Sequence, residues 1–184
     1  MKKGYSKAAL FLASQAVTLL GSSIVQFAII WYVTLKTSSG GWVAAFTICS
    51  YLPQFLISFF AGVWADRYSR KKLIILSDGV ITIATFVMFF AMPMISSDSI
   101  LLCALLGISI IRSMGAGVQT PAVNAVIPHL VPEEYLMKYN GINATVQSIV
   151  QFAAPAVAGT VLSIGTFRST LFIDILTALV GIGL

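Results

Sequence analysis

Apolar residues run along this chain in long blocks separated by short clusters of glycine, serine, proline and charge. The blocks extend from about Ala8 to Leu35, Trp42 to Trp64, Leu73 to Ile95, Ile100 to Ile127 and Tyr139 to Ile164. A sixth begins at Thr170 and reaches the last residue, Leu184. The breaks are "KTSSGG" after the first block, a charged stretch after the second, and Pro93 with "SSDS" after the third. "PHLVPEEYLMK", from Pro128 to Lys138, follows the fourth as a polar loop, and "GTFRS" follows the fifth as a turn. Barrel strands would show alternating segments of about ten residues. These blocks are longer and do not alternate, so they predict helices that satisfy their own backbone groups in lipid. The fold class expected is an all-α integral membrane bundle of six transmembrane helices. Crossing the hydrocarbon core takes about 20 residues. The last block has 15 residues, roughly 22 Å of helix, and predicts a sixth helix that is cut short, in a fragment or a truncated product.

Composition agrees with the pattern. Of 184 residues, 58% are hydrophobic and 9% charged, against about 25% charged in a soluble domain. The first block is too long for a signal-peptide core of about 7–15 residues, so it reads as a retained span. The net charge of +5 is spread between apolar blocks, which excludes a nucleic-acid-binding patch. Cys49 and Cys103 lie in apolar runs and read as fillers, and His129 reads as a solvated loop residue with no metal partner. Nothing resembles a nucleophile–base set, phosphate loop or metal cluster, so neither an enzyme nor a cofactor is expected.

Basic residues orient a membrane chain. With alternating sides, Lys2, Lys3, Lys7, Arg67, Arg70, Lys71, Lys72 and Lys138 share one side, and Lys36 and Arg168 the other. The expectation is a multi-pass protein of the cell membrane with its N-terminus in the cytoplasm. Four of those eight basic residues sit in "GVWADRYSRKK", Gly62 to Lys72. Topology accounts for its cations, but not for Asp66, since acidic residues contribute little to orientation. Gly62, one helical turn before Asp66, predicts a close helix approach. Asp66 could pair with Arg67 or Arg70, or cap a neighbouring helix.

This stretch resembles the signature loop between the second and third helices of the major facilitator superfamily. Gly62, Asp66, Arg67, Arg70, Lys71 and Lys72 match, while Ser69 stands where the family has glycine and Trp64 where it has leucine. In that family the loop is a gate latch. "IIRSMGAG", Ile110 to Gly117, looks like the family's fourth-helix pattern of an arginine followed by small residues, including Gly115 and Gly117. In "GINATVQSIVQFAAPAVAG", Gly141, Pro155 and Gly159 fall on the spacing of the family's antiporter motif, with Val150, Ala154 and Ala158 replacing its other glycines. The alternative for that stretch is an ordinary small-residue packing face. "TPAVNAVIPHLVPEE", Thr120 to Glu134, is similar to macrolide-efflux and siderophore-exporter relatives. The resemblance implies the N-terminal half of a twelve-helix transporter built from inverted three-helix repeats, with a C-terminal half as partner.

Arg112 lies near the bilayer midplane, where a cation costs at least about 2.5–3.5 kcal/mol and needs an inward partner or water. It reads either as a structural ion pair or as a coupling residue. Asp78 and Asp174 also lie inside spans. Asp78 reads first as neutralising the basic loop, and Asp174 as pairing with Arg168; either could carry a proton. Gln15, Thr18, Ser22 and Gln26 share one face of the first helix, and Asn140, Asn143, Gln147 and Gln151 one face of the fifth. They predict either interhelical hydrogen bonds or a cavity lining, with Gln15, Ser22, Gln26, Asn143, Gln147 and Gln151 as candidate substrate contacts. Phe27, Trp31, Tyr32 and Tyr51 could add aromatic contacts, although Trp31, Tyr32 and Trp42 also suit an interfacial belt. The reading is a proton-coupled secondary transporter exporting a small amphipathic, macrolide-like compound, with membrane lipid, substrate, protons and the other half as partners. A non-transporting scaffold or inactive truncated product is the alternative, and the reading frame past Leu184 separates them.

Overall fold

The computed structural model describes the backbone of residues 2–183 and the side chains of residues 8–181. Leu184 and the side chains of Lys2, Lys3 and Lys7, used above, lie outside the described residues. Among the described residues six α-helices make up the bundle: α1 Lys2–Thr37, α2 Gly40–Arg67, α3 Arg70–Ala91, α4 Asp98–Leu130, α5 Leu136–Ile164 and α6 Phe167–Gly183. Each of α1 to α5 contains a stretch long and apolar enough to cross a membrane. The helices outrun the apolar blocks, because a helix continues through flanking polar residues whose side chains reach water.

The breaks are shorter than the sequence suggests. Only Ser38 and Ser39 separate α1 from α2, and Ser38 ends α1 with φ 47, the left-handed closure that stops a helix. Only Tyr68 and Ser69 separate α2 from α3. Ser69 has φ −62, so this turn has no need of glycine. Arg67 closes α2 at its negative pole, whereas Arg70, Lys71 and Lys72 open α3 at its positive pole, an unfavourable position that helix electrostatics does not explain. Pro128 and His129 belong to the last turn of α4 rather than to a loop. α4 also stays helical through Arg112, Gly115, Gly117 and Pro121.

The packing has an internal symmetry. α4 packs on α2 and α3; α1 packs on α5 and α6; α1 meets α4 and α3 meets α6. Exchanging the first three helices for the last three leaves that pattern unchanged. Lys36 at the end of α1 pairs with Asp98 at the start of α4, 2.6 Å apart, so the two triplets start at opposite ends of the bundle. This is the arrangement of inverted three-helix repeats. α1 and α4 are central: half of the apolar window of α4 is buried, against 11% in α2.

Glycines set the closest approaches. A Cβ on Gly117 would lie 2.7 Å from the Gln54 carbonyl oxygen of α2, and one on Gly115 would lie 2.6 Å from Ile81 of α3. The symmetric contact, unforeseen in the sequence, is Gly21 of α1 against Thr177 of α6. Gly62, Gly141 and Gly159 face open space, with nothing within 4 Å. The close approach expected at Gly62 is therefore absent among the described residues, and the helix-packing role expected of Gly141 and Gly159 is not realised there either. Those glycines lie on outward surfaces of α2 and α5, the two least buried of the five spans. Pro155 likewise leaves α5 continuous.

The main apolar core joins all six helices toward the end where α1 finishes, with Val33, Phe46, Met88, Leu102, Ala158 and Phe167 among its members. Two smaller clusters, one around Leu12 and Ile127 and one around Ile74 and Val123, close the opposite, basic end. Phe55, Phe59, Ile83, Val87 and Phe152 are exposed outside, as a lipid-facing surface requires. Cys49 is part-buried and Cys103 exposed, both as free thiols.

Candidate functional site

The strongest polar construction is in the middle of the bundle. Arg112 is 14 residues after Asp98, the first residue of α4, about 21 Å along a helix of about 50 Å. Its side chain is 7% exposed, and the carboxylate that meets it, Asp174 of α6, is 2% exposed. Arg112 Nη1 donates to Asp174 Oδ2 at 2.5 Å and also to Thr85 Oγ1 of α3. The Thr85 hydroxyl is within donating distance of Asp174 Oδ2, 2.9 Å, and of the Ile81 carbonyl, 2.9 Å. Arg112 Nη2 reaches the Ser22 carbonyl at 3.2 Å and the Ser22 hydroxyl at 3.3 Å. One guanidinium thus binds α1, α3 and α6 to α4.

A buried charge is tolerated when it is paired and hydrogen-bonded; here the charges pair with each other, and both Nη atoms of Arg112 and Oδ2 of Asp174 are hydrogen-bonded. The expected pairing of Asp174 with Arg168 is corrected. Arg168 lies over the Phe89 ring, 4.4 Å from its centroid, because the first turn of α6 faces α3 at the bundle end while Asp174 turns inward. The expected role of Asp78 in neutralising the basic loop is also corrected. Asp78 is buried, and its Oδ1 accepts a hydrogen bond from Gln119 Nε2 of α4 at 2.6 Å. It lies six positions past Lys72 in the helix, and its side of α3 faces α4 rather than the loop.

Beside the ion pair is a cavity of about 190 Å³ between α1, α2, α4 and α5. Gln15, Ser22, Gln26, Asn143, Gln147 and Gln151 all line it, together with Arg112. Two members of the predicted faces fall elsewhere: Thr18 is buried and bonds to the Ser14 carbonyl, while Asn140 is exposed. Asn143 does both things the sequence left open, lining the cavity and donating to Asn124 Oδ1 at 2.9 Å. The sequence reading missed Gln54, Gln119, Ser109 and Ser113 in the wall. Gln54 follows Pro53 in α2, and its backbone N–H donates to the Ser113 hydroxyl at 2.9 Å. A hydroxyl of a neighbouring helix thereby serves the backbone where proline interrupts α2. Of the proposed aromatics only Tyr51 lines the cavity; Tyr32 stacks on Phe167, 4.9 Å between centroids, and Trp31 is exposed.

At the basic end Asp66 is exposed and makes no ion pair among the described residues. It neither pairs with Arg67 or Arg70 nor caps a helix. Arg70 turns instead to His129, touching its Nε2; His129 is exposed, as a solvated residue would be, but it stands in the last turn of α4 and not in a loop. Arg67, Lys71 and Lys72 are exposed beside it.

Comparison with known proteins adds a family to this geometry. The family model for the Major Facilitator Superfamily matches residues 11–184. Macrolide efflux protein A of Streptococcus pyogenes is 38% identical over 172 residues, which is 91% of this chain and 41% of that protein. Macrolide efflux protein A of Enterococcus faecalis is 35% identical over 142 residues, 75% of this chain and 42% of that protein. The staphyloferrin A transporter of Staphylococcus aureus is 25% identical over 157 residues, 84% of this chain and 38% of that protein. The chain spans about two fifths of the length of the curated relatives it matches.

Proposed function

The chain belongs to the major facilitator superfamily, and from that premise we propose that it forms the N-terminal half of a secondary transporter exporting a macrolide-like amphipathic compound in exchange for protons. The observation that carries the reading is the amide-lined cavity at mid-bundle, set directly against the buried Arg112–Asp174 pair. Amides and hydroxyls exchange hydrogen bonds with a ligand without committing the wall to one charge, and Leu19, Ile29 and Val146 supply apolar contact. Drug-sized ligands occupy clefts of about 300–1,000 Å³. The cavity here, about 190 Å³, is therefore read as one wall of a site that a facing half completes. The identity to macrolide efflux proteins supports the substrate class.

In this reading the bundle is a rigid body that rocks against its partner half around the midplane site. The apolar core seals the end where α1 finishes, and the Arg112–Asp174 pair keeps α1, α3, α4 and α6 moving together. Gly62, Asp66, Arg67, Arg70, Lys71 and Lys72 face the cytoplasm of the cell membrane, with the N-terminus on the same side. Asp66, without an ion-pair partner among the described residues, would latch the other half. The Gly141, Pro155 and Gly159 face of α5 packs there too, where a small surface admits another helix.

The test is accumulation of a radiolabelled macrolide in cells expressing the protein from its native reading frame. Expressing cells should retain less label than controls, and a proton uncoupler should erase the difference. Gln26→Leu or Gln147→Leu, each removing an amide worth about 1 kcal/mol, should weaken apparent affinity about fivefold. Equal accumulation with and without the protein would refute the reading.

A further inference from the structure

We propose that Asp78 and Gln119 form a proton-reading switch in the cavity wall, at which a proton and a hydrogen-bond-donating ligand compete. The proposal rests on the transport reading for its purpose, but the protonation of Asp78 stands apart from it. Asp78 is 6% exposed and has no cation within ion-pair distance among the described residues. Its carboxylate receives one hydrogen bond, from Gln119 Nε2 to Oδ1. Oδ2 accepts none, yet it is not sealed: Arg70 Nε is the sealed, unpartnered side-chain atom among the described residues.

The charged groups around Asp78 leave it uncompensated. On α4, Arg112 is committed to Asp174, and His129 at the helix end is committed to Arg70. On α6 the facing charge is Asp174, another carboxylate. On α3 itself Arg70, Lys71 and Lys72 lie at the helix start, and Asp66 and Arg67 of α2 lie at that same end. Asp78 and Thr85 are seven residues apart on the buried face of α3, two turns of helix, and the Thr85 hydroxyl bonds to Asp174. Two buried carboxylates therefore share one polar line, and its guanidinium, Arg112, is bonded to Asp174. A carboxyl without a counter-charge is tolerated in an apolar bundle with a proton on it. A metal ion would need several oxygen ligands, whereas the group facing Asp78 is an amide N–H.

Gln119 makes this carboxyl legible to a ligand, because it also lines the cavity. With Asp78 ionised, Nε2 is held by the carboxylate and the carbonyl Oε1 is left to accept from a ligand hydroxyl or ammonium. With Asp78 protonated, its O–H donates to Oε1, and the amide presents N–H instead. A donor ligand thus favours ionised Asp78 and expels its proton, while a proton rising through the cavity disfavours the ligand. That opposition is the sign an exchanger requires. It also separates roles: Arg112 and Asp174 hold four helices together, and Asp78 with Gln119 senses the proton.

The experiment uses the purified protein from its native reading frame in detergent. Infrared difference spectra between acid and alkaline buffer should show a titrating carboxyl C=O band. It should disappear in Asp78→Asn, persist in Asp174→Asn and remain in Asp78→Glu, which guards against a merely misfolded variant. In weakly buffered solution with a pH dye, erythromycin binding should release up to one proton per ligand bound in wild type and none in Asp78→Asn. A band unchanged in Asp78→Asn, or equal proton release from that variant, overturns the switch. Erythromycin that fails to bind counts against the macrolide reading above, and the infrared arm still decides the switch.

Discussion

Replacing Asp174 with asparagine separates two accounts of what the central cluster contributes. The substitution preserves shape and removes one charge. If the cluster were a set of ordinary interhelical hydrogen bonds, the loss would be about 0.6 kcal/mol, the usual value inside membranes. The structure argues for more. Arg112 is 7% exposed, and Asp174→Asn leaves its guanidinium with only neutral acceptors, among them Thr85 and Ser22. Stranding one member of a buried ion pair costs about 3–5 kcal/mol, which is more than a hundredfold in the folding equilibrium. Arg112→Met strands the Asp174 carboxylate in turn and should also destabilise the bundle. The double variant Arg112→Met/Asp174→Asn should recover most of the loss, since removing both charges is close to neutral. The assay is reversible unfolding of the purified protein in mixed micelles by rising detergent fraction, run as a double-mutant cycle. A cost near 0.6 kcal/mol for Asp174→Asn, or a double variant that simply adds the two single losses, would refute the reasoning.

The same assay tests the packing. Gly117→Ala would place a Cβ 2.7 Å from the Gln54 carbonyl and 3.1 Å from Gln54 Cα; backbone cannot move aside, so the loss should be about 1–3 kcal/mol. Gly62→Ala and Gly141→Ala meet nothing within 4 Å and should gain up to about 1 kcal/mol from better helix propensity; a loss at either would show that the approach at that site is misjudged. Ser113→Ala removes the cross-helix hydrogen bond to the Gln54 N–H and should cost about 0.5–1.5 kcal/mol, with Ser113→Thr close to wild type.

Which residues needed partners was readable along the chain; which partners they found was not. A cation at mid-span demands a counter-charge, and this is true of Arg112 in any fold. The local guess for Asp174 was Arg168, six residues away, yet the pair formed is Arg112–Asp174, 62 residues apart, because only the rotation of α6 against α3 and α4 decides which face turns inward. Amide periodicity likewise placed Gln15, Ser22 and Gln26 on one face, since 3.6 residues per turn is a local property, while Thr18 on that face packs against α6 instead of the cavity. Gly62 and Gly117 look alike in sequence, but one faces open space and the other a backbone. Asp78 reads in the sequence as an acid neutralising the basic loop; its burial and its Gln119 partner follow only from α4 packing against α3. Hydropathy and helical period, set by each residue and its near neighbours, determined the membrane class, the helices and the faces that must be satisfied. Helix rotation and close approach, set by the simultaneous packing of all six helices, decided every partnership on which a site depends.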